Sequence, residues 1–245
     1  MLCKLLALLI LMTPPLFSHN VGLLIMATGK YLPFAEDLIA SAHRYFLPDH
    51  TITFFVFTDG YLSEMTRNDP SVISIYQKRL GWPYDTMKRF HVYDQHRTLL
   101  SKQDFLFACD ADCLMVNTIG DEILGARVGV LHAGFLDTRG TYETNPQSLA
   151  CIHNHEGEHY FCGGFYGGTS EEVLIMAETI SQSIDMDLAR GIIAVWHDES
   201  FLNRYFIDHK PTIILPVTYC IGENHPWPLP KKLLALQKDH QRLRE

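Results

Sequence analysis

The sequence predicts a single α/β domain, and three observations support that fold class. Segments rich in β-branched and aromatic residues alternate with segments of helical periodicity, in the order strand, helix, strand, strand, helix, strand. The apolar segments are continuous rather than alternating, which is typical of strands buried on both faces of a sheet. The chain of 245 residues, 47% of them hydrophobic, carries no low-complexity linker and no internal repeat.

The predicted elements follow one another with short connections. In the first half they are a strand at 21–29, a helix at 34–46, strands at 51–60 and 71–78, a helix at 85–100 and a strand at 105–110. In the second half they are a strand at 127–135, helices at 170–184 and 198–207, and a short strand at 212–217. The basic tail, residues 228–245, is expected to close the domain as a helix or another ordered segment.

Composition excludes one broad class of function. The chain has 20 Lys and Arg against 28 Asp and Glu, a formal net charge of −8. An acidic chain lacks the basic surface that general nucleic-acid binding requires, although a local pocket for a phosphorylated ligand is still compatible with it. The six cysteines form no CxxC pair and several lie in apolar runs, which favours reduced, buried thiols over a disulfide framework.

Residues 1–20 form a separate hydrophobic segment. Lys4 precedes an apolar run from Leu5 to Met12, and two prolines interrupt the run. The run is shorter than the about 20 residues that a membrane-spanning helix needs, so it is more typical of a signal peptide. The alternatives are an anchor that associates the chain with a membrane, or an upstream start codon. The ordered domain is predicted to span residues 21–245.

Two carboxylates follow the predicted strand FLFACD. Asp110 and Asp112 are one residue apart at its carboxyl end, where ligands of open α/β sheets bind. In extended chain, positions i and i+2 face the same side, so both acids can bind a hard divalent cation that bridges nucleotide phosphates. A DxD pattern also occurs often by chance, and a solvated turn at the end of the strand is the alternative.

The cluster WHDES (196–200) precedes a predicted helix. Its two acids and its serine suit the first turn of a helix electrostatically. That interpretation leaves Trp196 and His197 unexplained. An aromatic plate, an imidazole and a carboxylate together make a candidate sugar-binding and catalytic group.

Glycines and histidines make two further motifs with competing interpretations. The glycines of HYFCGGFYGG (159–168) indicate either close backbone approach in a strand or a wall that leaves room for a ligand, and GxGxxG is absent. His153, His155 and His159 lie near one another, but they lack the spacing of a zinc-binding HExxH motif. A polar loop is the favoured interpretation there.

Two groups of cations are candidates for binding an anionic ligand. Lys88 and Arg89 open a predicted helix, where they either clamp a phosphate or form a solvated face. The C-terminal KDHQRLR (238–244) is either a solvated tail or a lid over an anion.

In their order along the chain these motifs resemble glycosyltransferase family 6, whose members include the histo-blood-group A and B transferases and α-1,3-galactosyltransferase. The segments that carry the resemblance are DADCLMVNTIGDEILG, LHAGF, TYETNPQS, YFCGGFYGG, AVWHDESFLNRYF and KPTIILP, and LGWPYDTMKRFH resembles the bacterial branch. The resemblance extends from about Val21 to Arg244. It implies a GT-A fold, a single Rossmann-like domain with a central mixed sheet flanked by helices, whose N-terminal half binds a UDP-sugar and whose C-terminal half binds the acceptor.

The resemblance also implies a reaction. GalNAc or Gal is transferred, with retention of configuration, from UDP-GalNAc or UDP-Gal to the 3-hydroxyl of a galactoside glycan. Mn²⁺ (or Mg²⁺) is the implied cofactor, bound by Asp110 and Asp112. Gly164 ends the triplet that sorts donors in the family and favours UDP-GalNAc, because it leaves room for the N-acetyl group. Gly222 stands where relatives have an acceptor-contacting aspartate, which leaves the acceptor undefined.

The implied site residues form three groups. Glu199 is the implied catalytic carboxylate on the β-face of the donor's anomeric carbon, as a nucleophile or as a stabiliser of an oxocarbenium-like transition state. The residues implied for donor binding are Met26, Ala27, Thr28, Tyr31, Arg89, Asp110, Ala111, Asp112, Cys162, Gly163, Gly164, Asp198, Lys238 and Arg244. The residues implied for acceptor binding are His132, Thr141, Trp196, His197 and His240. The tail bearing Lys238, His240 and Arg244 is implied to order over bound UDP and to exclude water.

Two other functions stay open from the sequence. A catalytically weak UDP-sugar-binding or glycan-binding protein could keep the same fold, although the intact DxD motif and Glu199 argue against it. A metalloenzyme built on the histidines of residues 153–159 is disfavoured by their spacing.

Overall fold

The structure is a computed structural model of the chain and describes residues 18–227, 230–239, 241 and 243. Of the hydrophobic segment predicted at residues 1–20, residues 1–17 lie outside the described residues. Among the residues that the structure describes, no helix has the length and apolar character to cross a membrane.

The described residues form ten strands and seven α-helices. The strands are β1 (Asn20–Met26), β2 (Thr51–Thr58), β3 (Val72–Tyr76), β4 (Phe105–Asp110), β5 (Cys113–Met115), β6 (Arg127–Leu131), β7 (Phe161–Thr169), β8 (Ile213–Leu215), β9 (Ile221–Gly222) and β10 (Leu233–Ala235). The helices are α1 (Leu32–Tyr45), α2 (Glu64–Arg67), α3 (Tyr84–Met87), α4 (Arg89–Gln95), α5 (Arg97–Leu100), α6 (Ser170–Ala189) and α7 (His197–Asp208). Short 3₁₀ helices lie at Gly29–Tyr31, Asp121–Ile123 and Val217–Tyr219.

Seven of the described strands form a central mixed sheet in the order β3-β2-β1-β4-β7-β6-β8. β3, β2, β1 and β4 are parallel, whereas β7 runs antiparallel to both β4 and β6, and β8 is parallel to β6. The predicted α/β class, with a central mixed sheet flanked by helices, is confirmed. A smaller sheet, β5-β10-β9, pairs the C-terminal segment with the chain that follows the two aspartates.

Strand β1 shows why the apolar segments are continuous. Leu23 and Ile25 pack in one cluster with Leu38 of α1, whereas Leu24 belongs to a second cluster that includes Ile180 of α6. Successive residues of a strand point to opposite faces, so a sheet covered by helices on both sides needs apolar residues at every position. Burying each such side chain stabilises the fold by about 1.5–3 kcal/mol.

The prediction of one helix over residues 85–100 is wrong in detail. Three short helices, α3 to α5, occupy this stretch, separated at Lys88 and His96. Both residues have ψ close to zero, at 7° and 16°, instead of the about −42° of an α-helix, so the helical path is interrupted twice. Arg89 becomes the first residue of α4 and is buried.

Other boundaries differ by a few residues. The predicted strand at 127–135 ends at Leu131, and the strand predicted at 212–217 is confined to Ile213–Leu215. In the tail, residues 233–235 form a strand rather than part of a helix. This strand pairs with β5, more than a hundred residues away in sequence, so local periodicity does not reveal it.

Candidate active site

A cavity of about 370 Å³ lies at the carboxyl ends of β1 and β4 and is bordered by the start of α7. This volume is within the range of about 300–1,000 Å³ typical of ligand pockets. The predicted site residues that line the cavity are Met26, Thr28, Tyr31, Arg89, Asp110, Ala111, Asp112, Gly163, Gly164, Trp196, His197, Asp198, Glu199 and Lys238. Both motifs that the sequence singled out, the aspartate pair and WHDES, therefore face one space.

The remaining predicted site residues lie elsewhere. Ala27 and Cys162 are buried in the core cluster behind the cavity wall. His132 packs in an aromatic group with Phe135, and Thr141 accepts a hydrogen bond from Trp196 at the edge of the cavity. The predicted tail residues His240 and Arg244 are outside the described residues.

Arg89 joins the two acidic motifs. Its Nη1 donates to Oδ1 of Asp110 at 2.8 Å, and its Nε lies 2.9 Å from Oδ2 of Asp198. Burial is the largest influence on Asp198 and raises its pKa to about 7, against the opposing effect of Arg89. The interpretation that Arg89 belongs to a solvated face is wrong, because its side chain is buried. Through its two carboxylate partners, Arg89 connects the end of β4 to the start of α7.

Glu199 lies in the first turn of α7 and lines the cavity. Its Oε2 accepts a hydrogen bond from the backbone N–H of Gly163 at 2.7 Å, and its Oε1 accepts one from the Tyr160 hydroxyl at 2.8 Å. Burial raises the pKa of Glu199, while the two hydrogen bonds lower it. Both carboxylate oxygens are thus fixed on the cavity wall.

Asn203, one turn after Glu199, attaches α7 to β7. Its amide nitrogen donates to the carbonyl oxygens of Phe161 and Glu199, at 2.8 and 2.9 Å, and its amide oxygen accepts from the Phe161 N–H at 2.8 Å. Asn203 is 1% exposed, so these bonds are shielded from water. This attachment gives Asn203 a structural role next to WHDES that spacing alone did not reveal.

Asp110 and Asp112 have a donor set that fits a divalent cation. Within the described residues no group of three or more His, Cys, Asp or Glu side chains is arranged to bind a metal ion. Mg²⁺-type sites commonly use only one or two carboxylates, together with water and substrate phosphates, so two aspartates suffice. Lys238 contacts Asp112, and its ammonium lies 5.4 Å from the centre of the Tyr31 ring. A cation at Asp112 would therefore compete with Lys238 for the same carboxylate.

Gly164 faces a thiol. A Cβ at this position would lie 2.8 Å from Sγ of Cys220 and 3.8 Å from Sγ of Cys162. The space that the glycine leaves is therefore filled by sulfur on one side. Further along β7, a Cβ at Gly167 would lie 2.3 Å from the ring of Phe107. The two interpretations of the glycine-rich motif both apply, because Gly164 lines the cavity while Gly167 allows close packing within the sheet.

Five lining residues were not anticipated from the sequence. They are Arg79, Trp82, Asp85, Thr86 and Leu243. Trp82 packs edge-on against His197, with ring centroids 5.1 Å apart. The motif LGWPYDTMKRFH contains three of these five residues. Its interpretation rested on Lys88 and Arg89, so the other three were missed.

The mixed α/β sheet flanked by helices is consistent with a glycosyltransferase of GT-A type, and the aspartate pair at the end of β4 and the carboxylate of α7 line one cavity within it. The chain belongs to glycosyltransferase family 6, whose domain it matches over residues 15–245. It is 34% identical over 240 residues to the histo-blood group ABO system transferase 1 of Rattus norvegicus, covering 93% of this chain and 69% of that protein. It is 29% identical over 250 residues to the globoside alpha-1,3-N-acetylgalactosaminyltransferase 1 of Homo sapiens, covering 94% of this chain and 72% of that protein. The chain is accordingly a glycosyltransferase.

Proposed function

We propose that this enzyme transfers GalNAc, or Gal, from its UDP-sugar to a galactose-terminated glycan, forming an α-1,3 linkage with retention of configuration. The observation that carries the proposal is the position of Glu199, a carboxylate with both oxygens hydrogen-bonded, on the same cavity as Asp110 and Asp112. The name of the alpha-1,3-N-acetylgalactosaminyltransferase to which the chain is similar supports the sugar and the linkage.

In this proposal the N-terminal half binds the donor. Met26, Thr28 and Tyr31 line the cavity beside β1 and are placed to contact the uridine. Asp110 and Asp112 bind Mn²⁺ or Mg²⁺. When bound, such a cation neutralises the negative charge of the diphosphate leaving group.

The chain's own cations act at the same end of the cavity. Lys238 reaches Asp112 from the C-terminal segment, so its ammonium lies beside the proposed diphosphate position. From that position Lys238 would be able to donate to phosphate oxygens of the donor. Those contacts draw the C-terminal segment over the donor and reduce the access of water.

Glu199 acts on the anomeric carbon. A carboxylate fixed beside that carbon stabilises the positive charge that develops as UDP departs, or attacks the carbon directly. The hydrogen bonds from Gly163 and Tyr160 favour the ionised form, which burial alone disfavours. Asp198, fixed by Arg89 at 2.9 Å, is placed to bind hydroxyl groups of the donor sugar.

The acceptor is bound at the C-terminal side of the cavity. Trp196 is 47% exposed, and its indole N–H donates to the Thr141 hydroxyl at 2.6 Å, which orients the ring. His197 lines the cavity, and His132 packs edge-on against Tyr160 with ring centroids 5.6 Å apart. Each histidine would offer an imidazole nitrogen to sugar hydroxyls. An exposed aromatic plate with polar groups at its rim suits a galactose ring, with an apolar face and a hydroxylated edge.

UDP-GalNAc is the proposed donor, with UDP-Gal as the alternative. Glycine at position 164 is the family signal for the larger N-acetyl group. Cys220 gives an independent reason for glycine at this position, because a methyl group there would meet its sulfur. The donor assignment therefore depends on a direct comparison of the two nucleotide sugars.

A transfer assay tests the proposal. Purified enzyme with Mn²⁺ is incubated with UDP-GalNAc or UDP-Gal and a panel of fucosylated and plain galactosides, and glycan products are identified by mass spectrometry. We expect transfer to at least one galactoside, with UDP-GalNAc the better donor. UDP binding without transfer to any acceptor would instead indicate a UDP-sugar-binding or glycan-binding protein that keeps the fold.

A further inference from the structure

The hydroxyl of Tyr160 contacts the proposed catalytic carboxylate directly. Tyr160 immediately precedes β7 and is 3% exposed. Its hydroxyl donates to Oε1 of Glu199 at 2.8 Å, opposite the Gly163 N–H that binds Oε2 at 2.7 Å. One of the two bonds that orient the carboxylate thus comes from a side chain, which a substitution can remove without altering the backbone.

The proposed acceptor side of the cavity lies next to the same hydroxyl. The indole N–H of Trp196 donates to Oγ1 of Thr141 at 2.6 Å. Among the influences on the pKa of Tyr160, burial raises it and Thr141 lowers it. Thr141 is therefore close to the phenol as well as to Trp196.

The ring of Tyr160 is confined by its neighbours. It packs against Phe135 and Tyr142, with centroid distances of 4.8 and 5.1 Å, and edge-on against His132 at 5.6 Å. A Cβ at Gly140 would lie 2.4 Å from this ring, so the loop passes directly over it. The phenol is therefore preset against Glu199 and needs no rearrangement to reach it.

We propose that Tyr160 is a positioning residue for the transfer, which orients Glu199 through the hydrogen bond to its Oε1, beside the proposed acceptor site at Thr141 and Trp196. The proposal deepens the proposed function and rests on it for the role of the carboxylate. The hydrogen bond from Tyr160 fixes one oxygen of Glu199 while the Gly163 N–H fixes the other. The carboxylate is therefore held in one orientation before donor and acceptor bind.

The decisive experiment measures the ionisation of Glu199 itself and needs no turnover. Carboxyl ¹³C NMR titrations compare wild type, Tyr160→Phe and Tyr142→Phe, with the Glu199 signal assigned by its loss in Glu199→Gln. Tyr142 is a matched control, because it packs on Tyr160 but donates its hydroxyl to the carbonyl of His159 at 2.7 Å. The other groups that influence Glu199, namely Arg89, Asp110, Asp198 and the Cys162 thiol, are unchanged in both variants.

We expect the Glu199 pKa to rise in Tyr160→Phe and to stay at its wild-type value in Tyr142→Phe, because a donated hydrogen bond favours the ionised form. In the transfer assay, kcat of Tyr160→Phe should fall by about 10- to 100-fold, the factor expected for one hydrogen bond to a charged group. The acid limb of its kcat profile should move to higher pH, while UDP affinity stays within about 3-fold of wild type.

The outcomes separate this inference from the proposed function. An unchanged Glu199 pKa in Tyr160→Phe overturns the positioning role, whether or not the wild type transfers sugar. Equal losses of kcat in both tyrosine variants, in step with their melting temperatures, also overturn it and indicate packing alone. If Tyr160→Phe does not fold, 3-fluorotyrosine at position 160 replaces it, because the more acidic phenol donates a stronger hydrogen bond to Glu199. The Glu199 pKa must then fall, and a wild-type value contradicts the positioning role.

Discussion

Replacing Gly164 by alanine tests how the cavity wall is built. The added methyl carbon would lie 2.8 Å from Sγ of Cys220, whereas non-bonded heavy atoms are best separated by about 3.5–4.0 Å. The thiol or the strand must therefore move by about 1 Å. Oδ2 of Asp110 and Sγ of Cys162 lie 3.6 and 3.8 Å from the same point, at ordinary van der Waals distance, so Cys220 is the neighbour that the methyl group would displace.

The expected magnitude follows from two opposing effects. Inserting a methyl group into a filled site costs about 1–3 kcal/mol. Exchanging glycine for alanine in a compatible backbone stabilises by about 0.4–1 kcal/mol, because the unfolded chain loses freedom. Gly164→Ala should therefore lower the free energy of unfolding by about 1–2 kcal/mol. When Cys220→Ala removes the sulfur, the same glycine substitution should become neutral or stabilising.

Equilibrium denaturation of wild type, both single variants and the double variant measures this coupling. Gly222→Ala is a matched control, because a Cβ there would meet no atom within 4 Å. The donor preference of all four proteins, measured in parallel, shows whether position 164 acts on the sugar, on Cys220 or on both. Equal effects of Gly164→Ala with and without Cys220, or an effect no larger than that of Gly222→Ala, would refute the packing argument.

Three further outcomes are expected. Asp110→Asn combined with Asp112→Asn should abolish Mn²⁺ binding to the UDP complex, and unchanged Mn²⁺ affinity by calorimetry would remove the pair from the metal site. Glu199→Gln should lower kcat by about 10²–10³-fold with UDP affinity within about 3-fold, and near-normal turnover would exclude Glu199 from the chemistry. Burial opposes ionisation of Glu122, but the Lys232 hydrogen bond and others lower its pKa to about 2. The stability that ionised Glu122 contributes is therefore present above pH 4.5 and lost as pH falls towards 2, so the difference in melting temperature between wild type and Glu122→Gln should shrink over that window. A difference independent of pH would contradict that ion pair.

Much of the fold follows from local sequence patterns. The continuous apolar runs of β1 and β4 mark strands covered on both faces, and the acids that open α7 mark a helix start. Pairings between distant segments are not local properties. Strand β10 was missed for this reason, since its partner β5 supplies the hydrogen bonds that make it a strand.

The candidate site was also predicted in part. Motif order identified Glu199 and the aspartate pair, because their residue types and their neighbours are distinctive. The contacts that fix these residues use side chains with no distinctive spacing. Tyr160 lies in a motif whose interpretation rested on its glycines, so the bond from its hydroxyl to Glu199 was missed. Asn203 lies on a helix that the apolar periodicity already predicts, so nothing in the pattern marks its side chain as important. Which partner a polar side chain chooses is decided by tertiary structure.

The stereochemistry of the product tests the central claim most directly. Wild-type enzyme is incubated with Mn²⁺, UDP-GalNAc and the best galactoside acceptor from the panel, and the isolated glycan is examined by NMR. We expect one new GalNAc residue, α-linked to the 3-position of the terminal galactose, because Glu199 lines the cavity and either of its proposed roles, nucleophile or charge stabiliser, is compatible with retention of the donor's α configuration. A β-linked product, or a product linked to another hydroxyl, would contradict the assignment of Glu199 and of the reaction.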